Sequence, residues 1–200
     1  YDEMYNVIIM LVVAIVFSVT MSGPWGVIKD AANVTESRQI LPFLIYVALI
    51  WILALGVFPG IFALVARAAR RFAGSPASNR TVILRLAYIL IPIGIFAWIA
   101  FSLPMLMVNY SYILNVLSDP LGLGWDILGT AAFAFQPFYP ESIPFIQGIT
   151  LLLGLYFGLS RGYLGLKEIM AVSDARAKAM IIPSIFALLV INIFLKLYMG

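Results

Sequence analysis

Cysteine and histidine are both missing from the 200 residues of this chain. Without cysteine it cannot hold an iron–sulfur cluster by thiolates, close a disulfide or present a cysteine nucleophile. Without histidine there is no bis-histidine haem ligation, no conventional zinc or copper site and no imidazole acid–base group near neutral pH. No metal site is therefore expected, and any redox centre of the usual kinds must sit on another chain. Charge is scarce as well. Asp, Glu, Lys and Arg make up 10% of the residues, against about 25% in ordinary globular domains.

Apolar residues fill the gap. They amount to 64% of the chain, where a water-soluble domain carries about 45–50%. The expected fold is all-α, a polytopic integral membrane helical bundle forming a single domain over 1–200. The sequence opens on "YDEMYN" without an initiator methionine, as expected of a processed, truncated or internal start.

A helix needs about 20 largely apolar residues to cross the hydrocarbon core. That ruler gives about five spans, at 5–22, 40–65, 81–108, 143–160 and 179–199, with the first ended by Gly23-Pro24. Between Arg67 and Arg85 lie five arginines and no acid, and 161–178 holds Arg161, Lys167, Arg176 and Lys178 against Glu168 and Asp174. Residues 109–142 carry Asp119, Asp126 and Glu141 and no base. Positive loops stay inside, so loops 67–80 and 161–178 are expected to be cytoplasmic and 109–142 external, in a membrane expected to be the cytoplasmic membrane of a prokaryote. Five spans alternate consistently with that assignment.

Prolines 42, 59, 92, 104 and 183 fall within the spans and invite bends. "GVFPGIF" is a place where the second span could divide, and "ARRFAGSPASNR" reads as the linker between a two-span and a three-span half. In the fourth span Thr150, Gly154, Gly158 and Gly162 recur every four residues, a groove of small residues that lets helix backbones approach closely. It serves either packing within the chain or the docking of a partner subunit. Ala14, Ser18 and Ser22 repeat the pattern more weakly in the first span.

The stretch "SDPLGLGWD", Ser118 to Asp126, interrupts this apolar text. Ser118 or Asp119 before Pro120 reads as a helix start, and Gly122 and Gly124 restrict that start to a short turn. With its many aromatic rings, 109–142 is expected to lie along the outer interface as a lid over the bundle. An aromatic and apolar pocket with a few polar groups is the general form of a lipophilic-ligand site. Tyr110, Tyr112, Asp119, Trp125, Asp126 and Gln136 are the candidates to contact a quinone or a lipid there. Asp119 is more easily read as a cap, which leaves Asp126 as the stronger functional candidate.

No Asp, Glu or Arg is placed clearly mid-span, so the usual mark of an ion or proton path is missing. There is no phosphate-binding glycine loop, no dinucleotide fingerprint and no credible carboxylate pair, so no catalytic residue is assigned. "NVT" at Asn33 is a formal glycosylation acceptor. The arginine-rich loop could touch anionic lipid. No nucleic-acid partner is expected.

The run from "ARRFAGS" through "LAYILIPIGIFAWIAFSL", then "LSDPLGLGWDILGTA" and "IQGITLLLGLYFGLSRGYLGLKE", resembles the membrane portion of polyferredoxin-type electron-transfer proteins over about residues 66–170. In that family a helical membrane module accompanies iron–sulfur domains in respiratory or quinone-linked electron transfer. The present chain departs from it in lacking the cluster cysteines and any histidine in its spans. The resemblance implies a non-catalytic membrane subunit that anchors or scaffolds a respiratory or electron-transfer complex, with a quinone or lipid at its outer face and redox subunits as partners. A transporter or permease subunit is the alternative, favoured by broken helices and disfavoured by the missing buried charge and repeat symmetry.

Overall fold

The computed structural model describes residues 2–22 and 26–199, and these form helices joined by turns and loops, with no strand among them. In chain order the helices are α1 (Asp2–Ser22), the short α2 (Gly26–Ala31) and α3 (Val34–Ser37), α4 (Ile40–Ile52) and α5 (Phe58–Phe72). They are followed by α6 (Asn79–Ala87), α7 (Leu90–Ser118), α8 (Ile143–Lys167) and α9 (Ser173–Met199). Five stretches are long and apolar enough to cross a bilayer: Asp2–Thr20, Ile40–Phe72, Asn79–Ser118, Pro140–Lys167 and Ser173–Met199. The protein is thus an all-α membrane helical bundle. The Gly23-Pro24 stop of the first span, the side chain of Ser22 and the terminal Gly200 lie outside the described residues.

Proline explains where the helices depart from the expected spans. Pro59 has no N–H to donate, and its ring crowds the carbonyl of Leu55. The chain widens into a π turn over Leu53–Val57, in which the Phe58 N–H reaches back five residues to Leu53 O. "GVFPGIF" therefore does not divide the second span. Pro92 acts differently: the helix breaks at Tyr88-Ile89, so the third span consists of α6 followed by α7. Pro104 lies inside an unbroken α7. That helix runs ten residues past the expected end at 108, while α8 and α9 extend well into the segment 161–178.

The core is apolar and tightly packed, with Leu11, Phe62, Leu86, Ile93, Leu151 and Phe194 each no more than 1% exposed. α7 lies between α1 and α8, α9 packs on α8 and α5, and α6 packs on α5. Lipid provides no hydrophobic drive between helices, so close van der Waals fit must hold this bundle together. The glycines of α8 supply it. A Cβ on Gly154 would stand 2.7 Å from Phe96 Cβ, and one on Gly158 would stand 2.6 Å from Ile89 O. At Gly162 it would overlap Ile89. The glycine face is filled from within the chain, by the first turns of α7, and is not open to a partner subunit. Thr150 turns its hydroxyl back onto Ile146 O at 2.7 Å. α4 stands apart, with no buried residue on any face; such a helix suits hydrocarbon and not water.

The two ends of the bundle differ chemically. At one end Arg85 pairs with Glu168 at 2.7 Å, Tyr88 donates to Glu3 at 3.2 Å, and Arg176 donates to Met170 O at 3.0 Å. The start of α1 and both arginine-bearing connections therefore share this arginine end. At the other, Ser18 and Tyr198 meet at 2.6 Å, joining α1 to the end of α9.

Candidate functional site

α7 outruns its neighbours at the end opposite the arginines. Gln147, near the start of α8, bonds to Ala100 of α7, and Phe17 of α1 packs on Trp98 and Phe101. The start of α8 thus lies about level with Pro104, and 14 further residues of α7 carry about 20 Å of helix beyond it. Residues 119–139 then run back down this extension. Thr130 Oγ1 donates to Leu114 O at 2.9 Å, Asn115 Nδ2 to Phe133 O at 3.1 Å, Gln136 N to Ser111 Oγ at 3.2 Å and Phe138 N to Met107 O at 2.9 Å. The expected lid over the bundle is instead a projecting hairpin, one arm helical and the other irregular. Tyr110 and Tyr112 belong to the helical arm.

The polar residues of "SDPLGLGWD" build the tip. Asp119 caps the end of α7 rather than the start of a new helix, because Gly122 and Gly124 come next with φ of 65° and 80°, values that do not continue a helix. Its two carboxylate oxygens accept from Leu123 N at 2.9 Å and Gly124 N at 2.8 Å. The buried Ser118 hydroxyl donates to Asp126 Oδ1 at 2.7 Å and accepts from Leu128 N at 3.1 Å. Asp126 Oδ1 also accepts from Ala131 N at 3.0 Å. The Ser118 hydroxyl, and then the Ala131 amide, hold the Asp126 carboxyl below the usual carboxylate range. Both aspartates are thus occupied with the backbone of their own loop. The hydrogen bonds that tie 119–139 to the rest of the protein all end on α7.

The six residues expected at a quinone or lipid site do not converge. Tyr110 and Gln136 line a cleft of about 810 Å³ at the foot of the hairpin, together with Phe138, Tyr139 and Glu141. Tyr112 stacks on Phe135 at 5.0 Å between ring centres, outside that cleft. Asp119, Trp125 and Asp126 are at the tip. The residues that clasp the hairpin, Ser111, Asn115 and Ser118, are not among the six. Their spacing of four and three along a helix is the signal that marks them, since it places them on one face.

The surface of the hairpin is the unusual part. Its backbone is fixed, yet Leu121, Leu123 and Ile127 are 67%, 63% and 63% exposed, and Trp125, Leu128 and Phe135 are exposed beside them. Comparison with protein-family models, with curated proteins and with solved structures finds no match to this chain. Its function is therefore argued from its own geometry.

Proposed function

We propose that this protein is a non-catalytic membrane subunit that anchors a partner protein through the projecting hairpin. The observation that carries the reading is the combination at the tip: a backbone fixed by two aspartates and a buried serine, displaying a contiguous run of bare leucine, isoleucine and tryptophan. An exposed patch of this kind on an ordered scaffold is the physical form of an interaction site. A rigid patch also loses little conformational entropy when a partner covers it. The hairpin carries three carboxylates and no base, so the complementary surface is apolar with a basic rim.

The resemblance to the membrane portion of polyferredoxin-type proteins gives the assembly its class, a respiratory or electron-transfer complex whose redox centres sit on the partner. The arginine end then faces the cytoplasm, and the hairpin stands on the outer side. The cleft at the foot of the hairpin, with Tyr110 and Gln136, is where a quinone or lipid would touch this subunit. The test is purification in mild detergent. The wild type should bring down a stoichiometric subunit with haem or iron–sulfur absorbance. A Leu121→Ser, Leu123→Ser, Ile127→Ser variant should lose it while keeping its own helicity. A wild type that runs stably alone, or a variant that keeps the same partner, contradicts the reading.

A further inference from the structure

A second site lies at the arginine end, in a cleft of about 510 Å³ between the start of α1, α6 and the first turn of α7. This volume is in the range of small-ligand sites, about 300–1,000 Å³. Its lining is divided. Asp2, Glu3, Arg80 and Arg85 supply two carboxylates and two guanidinium groups, while Met4, Val7, Leu84 and Ile91 supply an apolar wall. The apolar wall belongs to the spans and the charges to their ends, so the cleft straddles the boundary between hydrocarbon and water. Tyr88 donates to Glu3 Oε2 at 3.2 Å, which fixes one carboxylate in place. Arg85 Nη1 bonds to Glu168 at 2.7 Å, and a guanidinium has five N–H donors to distribute.

We propose that this cleft binds a phospholipid whose headgroup carries both a phosphate and a primary ammonium. The occupant must be amphiphilic to match the divided lining. It must carry both charges, because a purely anionic headgroup would meet Asp2 and Glu3 and a purely cationic one would meet the arginines. A primary ammonium donates three hydrogen bonds and suits the carboxylates. A quaternary ammonium cannot donate and calls for an aromatic cage, of which the cleft offers only Tyr88.

Native mass spectrometry of the detergent-purified full chain, exchanged with equimolar dioleoyl phosphatidylethanolamine, phosphatidylcholine and phosphatidylglycerol, tests this. Phosphatidylethanolamine should be retained in roughly tenfold excess over each of the others, the worth of one charge-assisted hydrogen bond. The Asp2→Asn, Glu3→Gln variant should bring the three to parity at unchanged helicity. Leu84→Trp, which fills the apolar half, should expel bound lipid altogether and serves if the first variant does not fold. Soluble phosphoethanolamine should fail to displace the bound lipid. Equal retention of the three lipids by the wild type, a preference for phosphatidylglycerol, an unchanged preference in the carboxamide variant, lipid retained by Leu84→Trp, or displacement by phosphoethanolamine would each overturn the proposal.

Discussion

Gln147 on α8 donates from Nε2 to the carbonyl of Ala100 on α7 at 2.8 Å, and that carbonyl is the one Pro104 leaves without its helical partner. The amide thus completes the backbone of another helix. An unsatisfied carbonyl in a water-free interior costs about 1–3 kcal/mol, although hydrogen bonds between membrane helices measure nearer 1. Gln147→Leu should therefore destabilise the bundle by about 1 kcal/mol. Adding Pro104→Ala restores the N–H to Ala100 O, so the same Gln147→Leu change should then cost much less. A double-mutant cycle in thermal unfolding checks it; equal costs in both backgrounds would remove the link.

The glycines of α8 should be far less tolerant than Gly60 on α5. A methyl on Gly158 meets the carbonyl of Ile89, a backbone atom that cannot step aside, whereas nothing lies within 4 Å of a Cβ on Gly60. Gly158→Ala should lose about 1–3 kcal/mol through overpacking. Gly60→Ala should be neutral or gain up to about 1 kcal/mol from reduced chain entropy. Melting curves in one detergent give the comparison directly, and a Gly158→Ala protein as stable as the wild type would refute the packing described for α7 against α8.

Asp126 predicts how the hairpin responds to acid. Its folded value lies below the ordinary carboxylate value, so its contribution to hairpin order is complete above about pH 4 and declines as pH falls through the folded value. Hydrogen exchange of residues 126–131 should thus be protected alike at pH 5 and pH 8, after correction for the intrinsic rate, and should loosen only at lower pH. Asp126→Ala should loosen the same amides throughout that range. Protection that fades between pH 5 and 7 would contradict the assignment.

The spans were legible because composition dictates them: a long apolar helix has few alternatives once water is excluded. Their ends were harder to read. Asn109, Ser111 and Asn115 look like an exit from the bilayer, yet Ser111 and Asn115 sit on the face of α7 that clasps residues 133–136. Asp126 looked functional because no local cap explained it; its partner Ser118 lies eight residues away, across a loop whose path the sequence does not specify. Gln147 gives no signal of its own in an apolar span, because its purpose depends on a proline 43 positions earlier, on a different helix. In each case the missing information was tertiary.

The account depends most on the separation of the arginine end from the hairpin by the thickness of a bilayer. Since the chain contains no cysteine, single-cysteine variants give a clean reading. Leu123→Cys at the tip and Val172→Cys between α8 and α9, both at exposed positions, can be labelled with a membrane-impermeant maleimide in sealed vesicles of known orientation. Leu123→Cys should react from one side only and Val172→Cys from the other side only. Labelling of both from the same side would contradict the account.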